Sequence, residues 1–151
     1  MKWRGWWALV TALVLVWGTF GYFATKPTDV HDFRKTAVQS AQSAYFSVST
    51  ADIAVRAHLA GKTLDTYLRA ALDDATKGVS GAAGEFANEQ PVDQATTRLR
   101  DELAPLLSAA VRALHDLRKA EQAGDDAALR RYDEQLRPLR TKLDRFIERH
   151  R

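Results

Sequence analysis

Beyond Thr28 the apolar residues return every three or four positions, the spacing that keeps them on one face of an α-helix. The first run is Val30, Phe33, Ala37, Ala41, Ala44, Val48, Ala51, Val55 and Leu59. Its rhythm is nearly that of a coiled-coil seam. The second is Leu64, Leu68, Ala71, Ala75, Val79, Ala82 and Phe86. The third is Ala95, Leu99, Leu103, Leu106, Ala110, Ala113, Leu117 and Ala120, and the fourth is Leu129, Tyr132, Leu136, Leu139, Leu143, Phe146 and Ile147. No stretch alternates with period two, so no strand is expected.

Breaks in the pattern divide these runs. Pro27 ends whatever precedes it, and Thr28 or Asp29 can cap the first helix of the body. Gly61 closes that helix and Thr63 is expected to cap the second. Pro91 stops the second, Asp93 opens the third, and Gly124 followed by Asp125 and Asp126 marks a stop and a restart. The predicted helices run over about 29–60, 63–89, 92–122 and 125–150. Pro105 and Pro138 fall inside the third and fourth, where each is expected to kink the axis. Four helices with short connections predict an all-α fold, an up-down-up-down antiparallel four-helix bundle. Many stripe positions are alanine, which buries little area, so close helix spacing and modest stability are expected.

The segment Trp6–Phe23 departs from this pattern: its 18 residues carry no charge. As a helix they cover about 27 Å, close to a bilayer's hydrocarbon thickness. The expected division is therefore 1–25, a short basic tail and transmembrane signal anchor; 26–28, a linker; and 29–151, the bundle. The run exceeds the apolar core of a cleaved signal and ends in bulky Phe20, Tyr22 and Phe23, so an uncleaved anchor is preferred to a secreted, processed form. All four tryptophans fall in the first 17 residues. Trp3, Trp6 and Trp7, with Lys2, Arg4 and Lys26, suit the two membrane interfaces. Arg34 and Lys35 nearly balance the basic count on the far side, so orientation rests on the short basic tail before the first apolar run. That places the N-terminus inside and residues 29–151 outside the cytoplasm, on a single-pass cell-membrane protein.

Charge and residue chemistry narrow the function. The net charge is +3, and Lys2, Arg4 and Lys26 account for all of it: of 22 Lys and Arg, the other 19 balance 19 Asp and Glu in the body. The body has no excess with which to neutralise phosphates along a nucleic acid, so no nucleic-acid partner is expected. There is no cysteine, and His31, His58, His115 and His150 form no HExxH or ExxH pair, so no metal or other cofactor is expected. Acidic pairs have structural explanations: Asp125 and Asp126 suit a helix start, and Asp133 with Arg137 and Arg140 with Asp144 suit exposed i,i+4 pairs. No base, nucleophile and oxyanion group converge at a known spacing, so catalysis is not expected.

Gly78, Gly81 and Gly84 lie inside the second helix without the order of a phosphate loop. In a hairpin centred near Lys62, Ser47 levels with Gly78, Ser43 with Gly81 and Ser40 with Gly84. That alignment predicts a tight small-residue helix contact, or a polar groove for a ligand or a partner's helix. Four helices also return the C-terminus to the end where the body begins, so Arg145, Arg149 and Arg151 would form a basic tip facing lipid. An anchored bundle of this kind resembles, at the level of fold, the extracytoplasmic four-helix sensor bundles of bacterial chemoreceptors and sensor kinases. The resemblance implies a non-enzymatic interaction or sensor-like module, associating with itself or with another protein that relays its signal. A secreted helical protein and a small-ligand-binding bundle are the alternatives.

Overall fold

The computed structural model describes residues 30–151. The anchor, its interface residues and the cap at Thr28 or Asp29 lie outside the described residues. Four helices follow one another: α1 (Val30–Leu59), α2 (Asp65–Asn88), α3 (Gln94–Ala123) and α4 (Asp126–His150). None of them is long and apolar enough to cross a membrane.

Neighbouring helices are antiparallel, as contacts between their ends show. Phe33 near the start of α1 meets Phe86 near the end of α2, ring centroids 5.6 Å apart. Arg69 at the start of α2 pairs with Glu121 at the end of α3 at 3.0 Å. Arg34 of α1 donates from Nε to the His150 carbonyl at the end of α4, at 2.9 Å. The result is an up-down-up-down four-helix bundle, as the periodicity predicts.

The bundle is skewed. α1 packs against α2, α3 and α4, whereas α2 and α4 do not meet. The cause lies in residue size. The buried face of α1 includes Ala37, Ala41, Ala44, Ala51 and Ala54, while α3 buries Leu99, Leu103, Leu107, Leu114 and Leu117. α4 adds Leu129, Leu136, Leu139, Leu143 and Phe146. Alanine lets one backbone come close to several others, so the alanine helix takes the short diagonal and the leucines fill the space around it.

The two tight turns use glycine in the left-handed region, φ 69° at Gly61 and 64° at Gly124. In both, the residue after glycine reaches back five positions: Lys62 N–H to Ala57 O at 2.8 Å, and Asp125 N–H to Ala120 O at 3.0 Å. This wrap satisfies carbonyls that the helix end leaves open. α3 begins with a capping box: the Asp93 carboxylate accepts from Thr96 N–H at 2.7 Å, and the Thr96 hydroxyl accepts from Asp93 N–H at 3.0 Å. Those bonds hold the Asp93 carboxyl below its ordinary range. Asp125 caps α4 by accepting from Ala128 N–H at 2.8 Å.

Several sequence expectations need correction. Thr63 does not cap α2; Leu64 occupies the cap position with no side-chain bond, and the Thr63 hydroxyl is buried without a partner. Val30, Leu64 and Ala95, the first residues of three stripes, are exposed because each lies in the opening turn or just before it, beyond the reach of the facing helix. In α3 the core takes Leu107 and Leu114 and leaves Leu106 and Ala113 half-buried. As expected of prolines inside a helix, Pro105 and Pro138 leave α3 and α4 continuous; both face solvent, where the carbonyl one turn back stays open to water.

Candidate functional site

Asp52 lies on the buried face of α1 between Val48 and Val55, with its side chain 3% exposed. A buried carboxylate needs partners, and this one has two. Arg56, one turn later on α1, donates to its Oδ1. Arg140 of α4 donates from Nη1 to its Oδ2 at 2.8 Å. Arg56 Nε also approaches Asp133 Oδ2 of α4 at 3.5 Å. Two carboxylates and two guanidiniums thus close the middle of the α1–α4 interface with no net charge.

This overturns the reading of Asp133 and Arg140 as exposed partners of Arg137 and Asp144. Asp133 and Arg140 are seven residues apart and flank the α4 seam at Leu136 and Leu139, so both turn toward α1. Burial raises the Asp133 carboxyl to about 6, and the hydrogen bond and charge of neighbouring Asp52 add to this, against the opposing pull of Arg56. Asp133 Oδ1 is buried and has no partner. The hydrogen bond to Asp52 raises Arg56 further above its ordinary range. The cluster can therefore gain or lose a proton near pH 6 at a helix–helix seam. An acid set among the apolar positions of α1 is the one sequence signal for this cluster.

The opposite face of α1 is the second unusual surface. Residues 36–51 carry no charge. Exposed on this helix are Gln39, Ser43, Thr50, and two large apolar side chains one heptad apart, Phe46 at 67% and Ile53 at 66% exposure. Tyr45, half-buried, packs edge-on against Phe46 with ring centroids 5.9 Å apart.

The small-residue alignment holds at one level. A Cβ placed on Gly78 would stand 2.6 Å from Ser47 Oγ, so the two helices do approach closely there. At Gly81 and Gly84 nothing lies within 4 Å of such a Cβ, and Ser43 is exposed. Ser40 turns into the core, where its hydroxyl has no partner. The six residues therefore divide among three environments.

The end of the bundle where α1 and α3 start and α2 and α4 finish carries charges of both signs, with its cations gathered at one cleft. Two shallow clefts of about 330 and 340 Å³ open here and share Arg34 and His150. His31, Lys35 and Arg151 line the first; Arg98 and Glu102 line the second. Of the three arginines expected to form a lipid-facing tip, Arg149 is exposed, pairs with Glu102 of α3 and donates from Nε to the Arg145 carbonyl at 3.2 Å. Arg145 is exposed, and Arg151 joins the first cleft. His150 Nε2 lies 3.1 Å from Glu102 Oε2, and its ring rests on Phe146 at 4.6 Å. At the far end His58 sits between Asp65 and Asp126, at 3.6 and 3.8 Å.

Among the described residues no group of three or more His, Cys, Asp or Glu side chains could hold a metal ion. No family model matches the chain, and neither a curated protein nor a solved structure matches it.

Proposed function

We propose that this protein is a membrane-anchored, non-catalytic interaction module, a helical bundle displayed outside the cytoplasm by the apolar run Trp6–Phe23. The observation that carries this reading is the uncharged outer face of α1 with Phe46 and Ile53 exposed two turns apart. A helix face that keeps large apolar groups in water and bears no charge has the composition of a contact surface. The buried carboxylates are held in a structural cluster with Arg56 and Arg140, which supports a non-catalytic body. The 18-residue span length and the flanking tryptophans support the anchor.

The test replaces Phe46 or Ile53, one at a time, with a photo-crosslinking residue in cells. A discrete crosslinked species is expected from both positions and from none on the outer face of α4. It should vanish when the other apolar residue becomes serine, while the bundle's melting temperature stays unchanged. Equal crosslinking from all faces would overturn the reading. Membrane fractionation tests the anchor separately: a shortened, soluble product would replace the anchored form with a secreted one.

A further inference from the structure

The first basic cleft is lined by His31, Arg34, Lys35, Val38 and Gln39 of α1 with His150 and Arg151 beyond, and by no acid. The body as a whole has no net charge, so this is a local concentration of cations. Glu102 of α3, which lines the neighbouring cleft, is engaged by Arg149 and His150. Asp32, in the first turn of α1, is not in the lining. No carboxylate side chain lies within ion-pair distance of Arg34, Lys35 or Arg151 among the described residues.

Arg34 is also fixed in place. Its Nε donates to the last carbonyl of α4 at 2.9 Å, which ties the guanidinium to the cleft lining and uses neither terminal nitrogen. A planar fork with a lysine beside it matches the oxygens of a phosphate. The volume, about 330 Å³, admits a small anionic group rather than a chain.

We propose that this cleft binds a phosphate oxyanion and that the phosphate is the headgroup of an anionic lipid. The choice of lipid rests on the anchored reading; the anion chemistry does not. Six residues, 24–29, join Phe23 to Val30, and the seven backbone steps reach only about 25 Å even when fully extended. A span ending at Phe23 keeps Val30 within that distance of the membrane and Lys35, five helical residues on, within about 33 Å.

The experiment uses the full chain, first in detergent, with NMR of arginine Nε and histidine ring signals during titration with inorganic phosphate against matched sodium chloride. Saturable shifts at Arg34 and His31 are expected. Read at the His31 ring, Arg34→Ala should weaken phosphate binding roughly ten-fold and Arg34→Lys less, the latter separating loss of the fork from loss of fold. The second arm compares nanodiscs of phosphatidylcholine with nanodiscs containing phosphatidylglycerol, where the same signals should shift only in the anionic bilayer. A phosphate response without a lipid response keeps the cleft and overturns the lipid source. Shifts that chloride reproduces, or that Arg34→Ala leaves intact, overturn the proposal. Failure of the anchored reading would show separately, as a soluble product in fractionation.

Discussion

The α1–α2 and α1–α4 interfaces share one helix and are built from opposite materials. Toward α2, α1 presents small and apolar groups: Ser47 against Gly78 and Phe33 against Phe86. Toward α4 it presents Asp52 and Arg56, which meet Arg140 and Asp133. The first interface is non-directional and tolerates slippage, because apolar contact depends on area rather than angle. The second fixes register, because a buried carboxylate must find its donors at hydrogen-bond distance or lose solvation without return. α2 follows α1 through a short glycine turn, which already sets its register. α4 is separated from α1 by two intervening helices and receives its register from charge.

The comparison breaks most readily at Asp52. Asp52→Ala leaves Arg140 and Arg56 facing an apolar seam, and denaturant unfolding should show a loss of about 3 kcal/mol. Adding Arg140→Ala should cost less than the sum of the two single changes, since they share one interaction. A strictly additive double variant would mean the seam is not coupled.

Asp133 sharpens the same interface through pH. Its folded carboxyl is raised to about 6 while the unfolded chain titrates at an ordinary carboxylate value, so between those values the folded state holds the extra proton. The stability this proton contributes is full below the unfolded value and is lost as pH rises through about 6. Asp133→Asn should therefore gain about 1 kcal/mol at pH 7 and flatten the stability profile between pH 4 and 7. An unchanged profile would remove Asp133 from the account.

The α1–α2 side predicts smaller effects. Gly81→Ala and Gly84→Ala enter open space in a helix interior and should each stabilise by about 0.5–1 kcal/mol. Gly78→Ala should give less, because its methyl forces the Ser47 hydroxyl to move; in a Ser47→Ala background the full gain should return. Equal gains at all three glycines in the native background would show that the close approach at Gly78 carries no cost.

Much of the bundle was legible in sequence because helix periodicity and end signals are local. Gly61, Asp93, Gly124 and Asp125 act within their own turns, and each does what its residue type and position imply. Thr63 is a residue type that caps helices and Leu64 is not, so only the path of the turn puts Leu64 at the cap position. The candidate site was scarcely legible. Its charges lie 88 positions apart in sequence, Asp52 to Arg140, and either alone resembles an exposed helix charge.

The sequence by itself determined that the body is four amphipathic helices with short turns, since spacing of apolar residues, glycine at positive φ and aspartate caps are properties of neighbours along the chain. It also determined the uncharged run Trp6–Phe23 and the confinement of all net charge to its flanks. Only the tertiary structure decided which edge of each wide apolar stripe faces inward, Leu107 rather than Leu106, because that depends on the crossing of the facing helix. It alone made α1 the diagonal helix, turned Asp133 and Arg140 inward, sent Ser40 to the core and Ser43 to solvent, and gathered His31, Arg34 and Arg151 into one cleft. The physical reason is common to all of these: helix formation is settled within four residues, whereas burial and charge pairing are settled by whichever distant surface packs alongside.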